Sequence, residues 1–462
     1  MTNLSPRRHQ TRRPRVNFRR RGFLSVVILG ILITVLPDGP VFGQTAVDES
    51  VRSRPRLDFE SYGFSFRAFL GDKERSGPRK PADQLTVYTQ VDAGAGYNSN
   101  VLRTADNEKA SAFTSVTPRM AIHTDWDKHG MNLVLKADAR VFASESSENK
   151  LDVTARVGGH YDLANDDIVQ WNVEAARVQS PRGSSDGAGP SFEPQVVHRY
   201  TLGTQFSRGQ DDDVKFRFDA RAIRYDYQKV DALSRNELDS NEYIVNAIAA
   251  IGTGGAIDWF AVPGITITTY DQNVNSDSTV YDLALGWRVD ASALTAAVGK
   301  IGITHRHFER AGDADITSLL LESKVWWNAT PLITVRNDAF VQTDDAQSET
   351  GGGKITASVD LSLDYELFEH LVFTSTVGYR SDQFEGVNRD DDTFHSSVGA
   401  MYLIGDRYFI RGDLGLESRD STIASESYDE TTLFLRFGVK NCCLGDKGPV
   451  NAFAEGVRDV FR

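Results

Sequence analysis

Residues 354–367 read KITASVDLSLDYEL. Ile355, Ala357, Val359, Leu361, Leu363, Tyr365 and Leu367 fall on one face, and Thr356, Ser358, Asp360, Ser362, Asp364 and Glu366 on the other. Strict alternation has the side-chain period of a β-strand, not of a helix. It also outlasts the roughly 9–11 residues that a tilted strand needs to cross a bilayer. One face suits lipid and the other water.

The pattern recurs along the chain from Leu85. Leu133, Leu135, Ala137, Ala139 and Val141 oppose Lys136, Asp138 and Arg140; Tyr281, Leu283, Leu285, Trp287 and Val289 oppose Asp282, Arg288 and Asp290. The last copy sets Leu433, Leu435, Phe437 and Val439 against Arg436 and Lys440. Asn337 interrupts the apolar face of 331–343, and the alternation slips between Arg221 and Tyr227, where a β-bulge is expected.

Counting these segments gives about eighteen strands, with sixteen to eighteen compatible with the pattern, and an even number suits a single-chain bacterial barrel. The connections alternate in length. Short turns such as Ala164–Asp166, Ala329-Thr330 and Phe368-Glu369 follow every second strand, and longer polar loops such as 98–111 and 180–195 join the others. Short periplasmic turns and long external loops are the habit of transmembrane barrels, and the sequence predicts an all-β, antiparallel up-and-down β-barrel over 85–440. An open sheet would leave unpaired backbone edges in lipid, so closure follows.

The six tryptophans, Trp126, Trp171, Trp259, Trp287, Trp326 and Trp327, lie within a few residues of short turns. They are expected to form an aromatic girdle at the periplasmic interface. Tyr97, Phe142, Tyr227, Tyr270, Phe308 and Phe340 are candidates for the outer girdle.

About eighteen strands enclose a lumen wide enough for water. Lys136, Asp138, Arg140, Arg156, Lys215, Arg217, Asp219, Arg336, Asp338, Asp360, Asp364, Arg411 and Asp413 are its candidate lining residues. They could pair across strands in a solvated wall or line a passage for polar solute.

At the N-terminus eight arginines precede the apolar run 22–36, and Val41 and Gly43 supply small residues before Gln44. This is a signal-peptide pattern over 1–43, read in preference to a retained anchor or, despite Arg20-Arg21, a twin-arginine signal. Residues 44–84 read as a polar periplasmic leader and 441–462 as a periplasmic tail, which places both termini of the barrel in the periplasm. The full chain carries 51 Lys+Arg and 64 Asp+Glu. Removing 1–43 leaves 43 against 63, a net of −20, which speaks against nucleic acid as a partner. The adjacent Cys442-Cys443 make no disulfide framework.

No catalytic, cofactor or metal set stands out. His305 and His307 share one strand face, no G-x-S-x-G elbow is present, and the acidic runs 211–213 and 390–392 lack calcium-loop spacing. Solvated turns are the expected role of both runs, with 390–392 a place where divalent ions could bridge lipopolysaccharide.

The stretch Gly94-Ala95-Gly96-Tyr97-Asn98-Ser99-Asn100-Val101-Leu102-Arg103 is more distinctive. A first strand ending G-Y-[ND]-x-N-V-[FLY] resembles the putative β-barrel porin 2 family of Gram-negative outer-membrane proteins, and Gly63–Phe69 looks like that family's lead-in. The resemblance implies an outer-membrane channel, often associated with export of exopolysaccharide or capsule, with no site residues to carry over. It departs from a usual barrel at its end, where the chain continues past Phe437 to Phe461-Arg462. The expected partners are outer-membrane lipid and lipopolysaccharide, the barrel-assembly machinery and polysaccharide-export components. A plugged structural or adhesive surface barrel is the alternative from another class, and a membrane-embedded hydrolase a third.

Overall fold

The structure is a computed structural model. It describes residues 85–442 except 126–127, 164–166, 181, 183–192, 209–213, 229–237, 253–256, 273–274, 293–294, 331, 347–351, 369 and 406. The expectations for 1–84, for Trp126, for Asp211–Asp213 and for the tail from 443 therefore lie outside the described residues.

Eighteen strands follow one another: β1 (Leu85–Asn98), β2 (Ser111–Asp125), β3 (His129–Phe142), β4 (Lys150–Asp162), β5 (Ile168–Gln179), β6 (Val196–Arg208), β7 (Val214–Tyr227), β8 (Ser240–Gly252) and β9 (Ile257–Tyr270). They continue as β10 (Ser278–Ser292), β11 (Thr295–Phe308), β12 (Ile316–Thr330), β13 (Ile333–Ala346), β14 (Gly352–Phe368), β15 (Leu371–Phe384), β16 (Asp390–Ile404), β17 (Tyr408–Ser421) and β18 (Tyr428–Cys442). Every neighbour is antiparallel to the next, and β1 pairs with both β2 and β18. The sheet is closed, so each strand has two partners and no edge is left for lipid to meet. The stretch 354–367 is the body of β14, pairing β13 from Ile333↔Tyr365 to Ala346↔Gly352 and β15 on its other side.

The alternation reads out as two faces. Leu202, Leu283, Leu285, Ile303, Leu433 and Leu435 are among the exposed large apolar side chains, Leu285 at 65%. Such exposure would be a liability in water and is what a lipid-facing band requires. Ser and Thr hydroxyls, carboxylates and guanidinium groups share the opposite face.

That opposite face is the inner one. His395 of β16 lies 2.7 Å from Asp360 of β14, and Arg411 of β17 donates to Thr374 of β15 at 3.2 Å, each pair reaching over an intervening strand. Side chains converge inside a barrel and splay apart outside it. Gly378 of β15 makes the first contact possible, because a Cβ there would stand 2.2 Å from both Asp360 Oδ1 and His395 Nε2.

The register corrects three sequence expectations. β7 pairs without interruption with β6 and β8, so the slip at 221–227 is no bulge. It is an inversion of polarity: Ile223, Tyr225 and Tyr227 turn inward to pack with Val197, Leu238 and Ile244, while Arg224 and Asp226 face out. Register irregularities occur instead beside short turns, at Asp290/Ser292, Asn328/Thr330 and Glu366/Phe368.

The outer girdle is the second correction. Phe142, Tyr227, Phe308 and Phe340 are buried and share the inner face, and the Tyr270 hydroxyl points inward to Asp345. Tyr97, half exposed, keeps the lipid-facing place. The third concerns Trp326, which stands directly opposite Arg336 and so faces inward. Trp327 pairs with Val335, and Trp259 pairs with Trp287, on the outer face; Trp171 lies there with Val173.

Candidate functional site

All of the predicted lining residues from Lys136 to Asp413 lie on the inner face. Most are bound into ion pairs with inner-face neighbours. Arg156 meets Glu174 at 2.5 Å, and Glu174 also takes Arg199 at 2.9 Å. Arg217 meets Asp219 at 2.8 Å, Arg336 meets Asp364 at 3.0 Å, and Lys324 lies 3.8 Å from Asp338. Arg411 and Arg436 share Asp413, each at 2.8 Å. Lys215 is buried in the same row of β7 as Arg217. Alternating signs along and across strands hold charges on a wall that would otherwise repel itself.

Two features narrow the lumen at the end that carries the long loops. The first is the β13–β14 hairpin. β12 and β13 pair up to Leu321↔Val341 and stop, although β13 runs on with β14 to Ala346. Above that point the hairpin leans across the inside. Thr343 Oγ1 lies 3.4 Å from Thr304 Oγ1 of β11, and Arg306 of β11 donates to the Thr343 carbonyl and pairs with Asp345. The Tyr270 hydroxyl of β9, four strands away, donates to Asp345 at 3.4 Å. At Gly353 a Cβ would sit 2.4 Å from Ile316 Cδ1, so a larger residue there would have to push that side chain aside.

Lys354 anchors the other arm. It is fully buried and 3.7 Å from Asp382, which also accepts from Arg380 at 2.9 Å and Thr356 at 2.7 Å. A buried carboxylate with three such partners is satisfied, as a charge out of water must be.

The second feature is the motif Asn98–Arg103. Asn98 accepts from the Asn100 backbone N–H (2.8 Å) and donates to Glu430 (2.9 Å). The Asn100 amide donates to the carbonyls of Thr104 and Asp429, and Ser99 exchanges bonds with Thr431. Arg103, in a left-handed conformation (φ 51°), reaches Glu430 at 2.7 Å and Glu417 at 3.2 Å. The motif thus ties the first strand to the last two, at the seam where the sheet closes. It also turns Val101 inward onto Phe113 and Phe142.

Sequence reading placed Asp390–Asp392 in a loop, but β16 begins at Asp390. Asp391 is fully buried and held by Arg389 at 2.6 Å and Ser421 at 2.6 Å, while Asp392 accepts from Tyr379 at 2.7 Å. This corrects the surface-cation reading of the run. Among the described residues no group of three or more His, Cys, Asp or Glu is placed to hold a metal ion. His305 and His307 are engaged by Thr317 and Asp315. Two residues that the alternation could have singled out, Asp92 and Glu174, prove to be carboxylates of the ion-paired wall.

Comparison with curated proteins gives no match. Among solved structures the chain is similar to Pseudomonas aeruginosa OccK2 (OpdF), with 10% identity, TM-score 0.43, and coverage of 78% of this chain and 99% of that one. It is similar to Pseudomonas aeruginosa OprD at 9% identity and TM-score 0.41, covering 80% and 98%, and to the copper transporter OprC at 8% and 0.44, covering 79% and 81%. These likenesses are too distant for those proteins' solutes to bear on this one. The family model described as "Putative beta-barrel porin 2" matches residues 82–441, the whole barrel. By its description this is a family of porins. The chain is a porin-like outer-membrane β-barrel channel and belongs to the "Putative beta-barrel porin 2" family.

Proposed function

We propose that the channel passes a polar solute of saccharide character, with surface polysaccharide as its cargo. The observation that carries the reading is the inner wall itself, where ion pairs and hydroxyls run from strand to strand around the barrel, including Arg156–Glu174, Lys300–Glu322, Arg336–Asp364 and Arg411–Asp413. A wall of fixed, mostly ion-paired charges offers hydrogen bonds to hydroxyl-rich solute. Guided diffusion along that wall, past the inward-leaning β13–β14 hairpin, is the mechanism. Cells lacking the protein should retain polymer in the periplasm and lose it from the surface; unchanged surface polymer would sink the cargo assignment.

A plugged barrel is the second reading, and the inward hairpin together with Val101 on Phe113 favours it. Removing the hairpin distinguishes the two: an open channel gains conductance from a finite starting value, whereas a plugged one starts from none.

A further inference from the structure

Six consecutive strands across the seam carry one transverse row on the inner wall: Arg411, Arg436, Gly94, Ser115, Arg140 and Lys150, each directly opposite the next. The row holds four cations and no carboxylate. Like charges set directly opposite, as in Arg411↔Arg436 and Arg140↔Lys150, cost stability.

All four have acids nearby, Asp138 and Glu430 in the case of Arg140, but only three are ion-paired. Arg411 and Arg436 share Asp413, Arg436 also lies 3.7 Å from Asp92, and Lys150 is 2.7 Å from Asp152. Arg140 differs. Among the described residues it makes no ion pair, and its buried Nε has no hydrogen-bond partner. It stacks instead over Phe113, 4.6 Å from the ring centroid, with Phe434 at 6.0 Å. Phe113 and Phe142 form the next row toward the long loops, packed under Val101. Stacking satisfies the face of a guanidinium and leaves its N–H edge unspent. Between Arg140 and Arg436 lie Gly94, where β1 and β18 approach so closely that a Cβ would stand 2.8 Å from the Arg436 Cβ, and Ser115, whose hydroxyl donates to Asp138 at 3.4 Å. The Nε of Arg436 is likewise buried without a partner.

We propose that this row is a binding site for the oxyanion of an acidic saccharide unit, a carboxylate or sulfate, in transit through the lumen. Arg140 presents its N–H edge to the anion, Arg436 and Lys150 flank it, and Phe113 holds Arg140 in place. The inference rests on the saccharide-channel reading and deepens it by assigning the charge of the cargo.

The test uses the full barrel in planar bilayers, with hexagalacturonate and maltohexaose added as probes. Hexagalacturonate should interrupt the current at concentrations about tenfold or more below those of maltohexaose, and R140Q should remove that advantage. R140K keeps the charge but loses the planar edge, and should fall between. Equal block by both sugars, or an R140Q barrel that still prefers the acidic one, would overturn the site while leaving the channel intact. Titration calorimetry on the detergent-solubilised protein reads the same site without conductance: hexagalacturonate should bind the wild type and not R140Q, and absence of binding overturns the proposal. If inorganic sulfate binds as tightly as the hexasaccharide, the site is one for free ions and the saccharide assignment fails. Heat-modifiable gel mobility reports folding of each variant, and K150Q, at the row's end, gives a second variant in which a smaller loss of the preference is expected.

Discussion

Thr343 and Thr304 face each other at 3.4 Å although their strands, β13 and β11, are separated by β12 in the sheet. The contact exists because the upper part of the β13–β14 hairpin has left the wall and crossed the inside of the barrel. The hairpin therefore narrows the lumen at the level of the Arg306–Asp345 and Lys354–Asp382 pairs.

Deleting residues 343–354 should widen that level. Single-channel conductance is expected to rise by about twofold or more, since the narrowest section dominates the resistance. Arg306→Ala, which removes the tie to Asp345, should raise current noise with a smaller change in the mean. Unchanged conductance in the deletion would mean that the hairpin is not the constriction.

The seam offers a stability test. Asn100 is fully buried and bonds to Thr104 and Asp429. Asn100→Ala strands those backbone groups and should cost about 2–3 kcal/mol. The check is the temperature at which the folded band disappears on a heat-modifiability gel. A midpoint equal to wild type would show that the motif does not hold β1 to β18.

Leu285 lies within β10 on the outer face. Leu285→Arg should destabilise the barrel by about 2–4 kcal/mol in a denaturant titration with lipid vesicles, the cost of a cation on the lipid face. Little or no effect would place that residue outside the bilayer.

Acid should loosen one loop contact. Asp271, in the β9–β10 loop, is paired in bidentate fashion with Arg224, both bonds at 2.7 Å, and that hydrogen bonding holds its carboxyl below the ordinary value. A lowered folded-state pKa means that the pairing stabilises above the unfolded carboxyl value of about 3.9 and is lost as pH falls through the folded one. The thermal midpoint of wild type should exceed that of Asp271→Asn at pH 7, by a small margin because the pair is exposed, and the two should merge in strong acid. A gap that persists below that range would assign the difference to something other than charge.

Much of the architecture was readable from period-two alternation, and β14 illustrates why: Leu361, Leu363 and Tyr365 against Asp360 and Asp364 admit one pairing parity. The same regularity concealed what matters at the mouth. In β13 the apolar face ends at Val341 and turns polar at Thr343 and Asp345, but a strand rising straight out of the lipid band would read the same, so the sequence does not show that the hairpin leaves the wall there. Phe142, Phe308 and Phe340 misled for a related reason. Beyond the lipid band the inner face can become the apolar one, as at Ile223–Tyr227, and single-strand periodicity does not say where that exchange occurs. The grouping of Arg411, Arg436, Arg140 and Lys150 depends on register between strands at opposite ends of the chain, which no local pattern encodes.

An open, water-filled channel conducts ions. Single-channel recording of the purified barrel in planar bilayers should show discrete, near-ohmic current steps in potassium chloride that grow when residues 343–354 are removed. A folded barrel that stays electrically silent at every voltage and salt concentration, with and without the hairpin, would contradict an open channel.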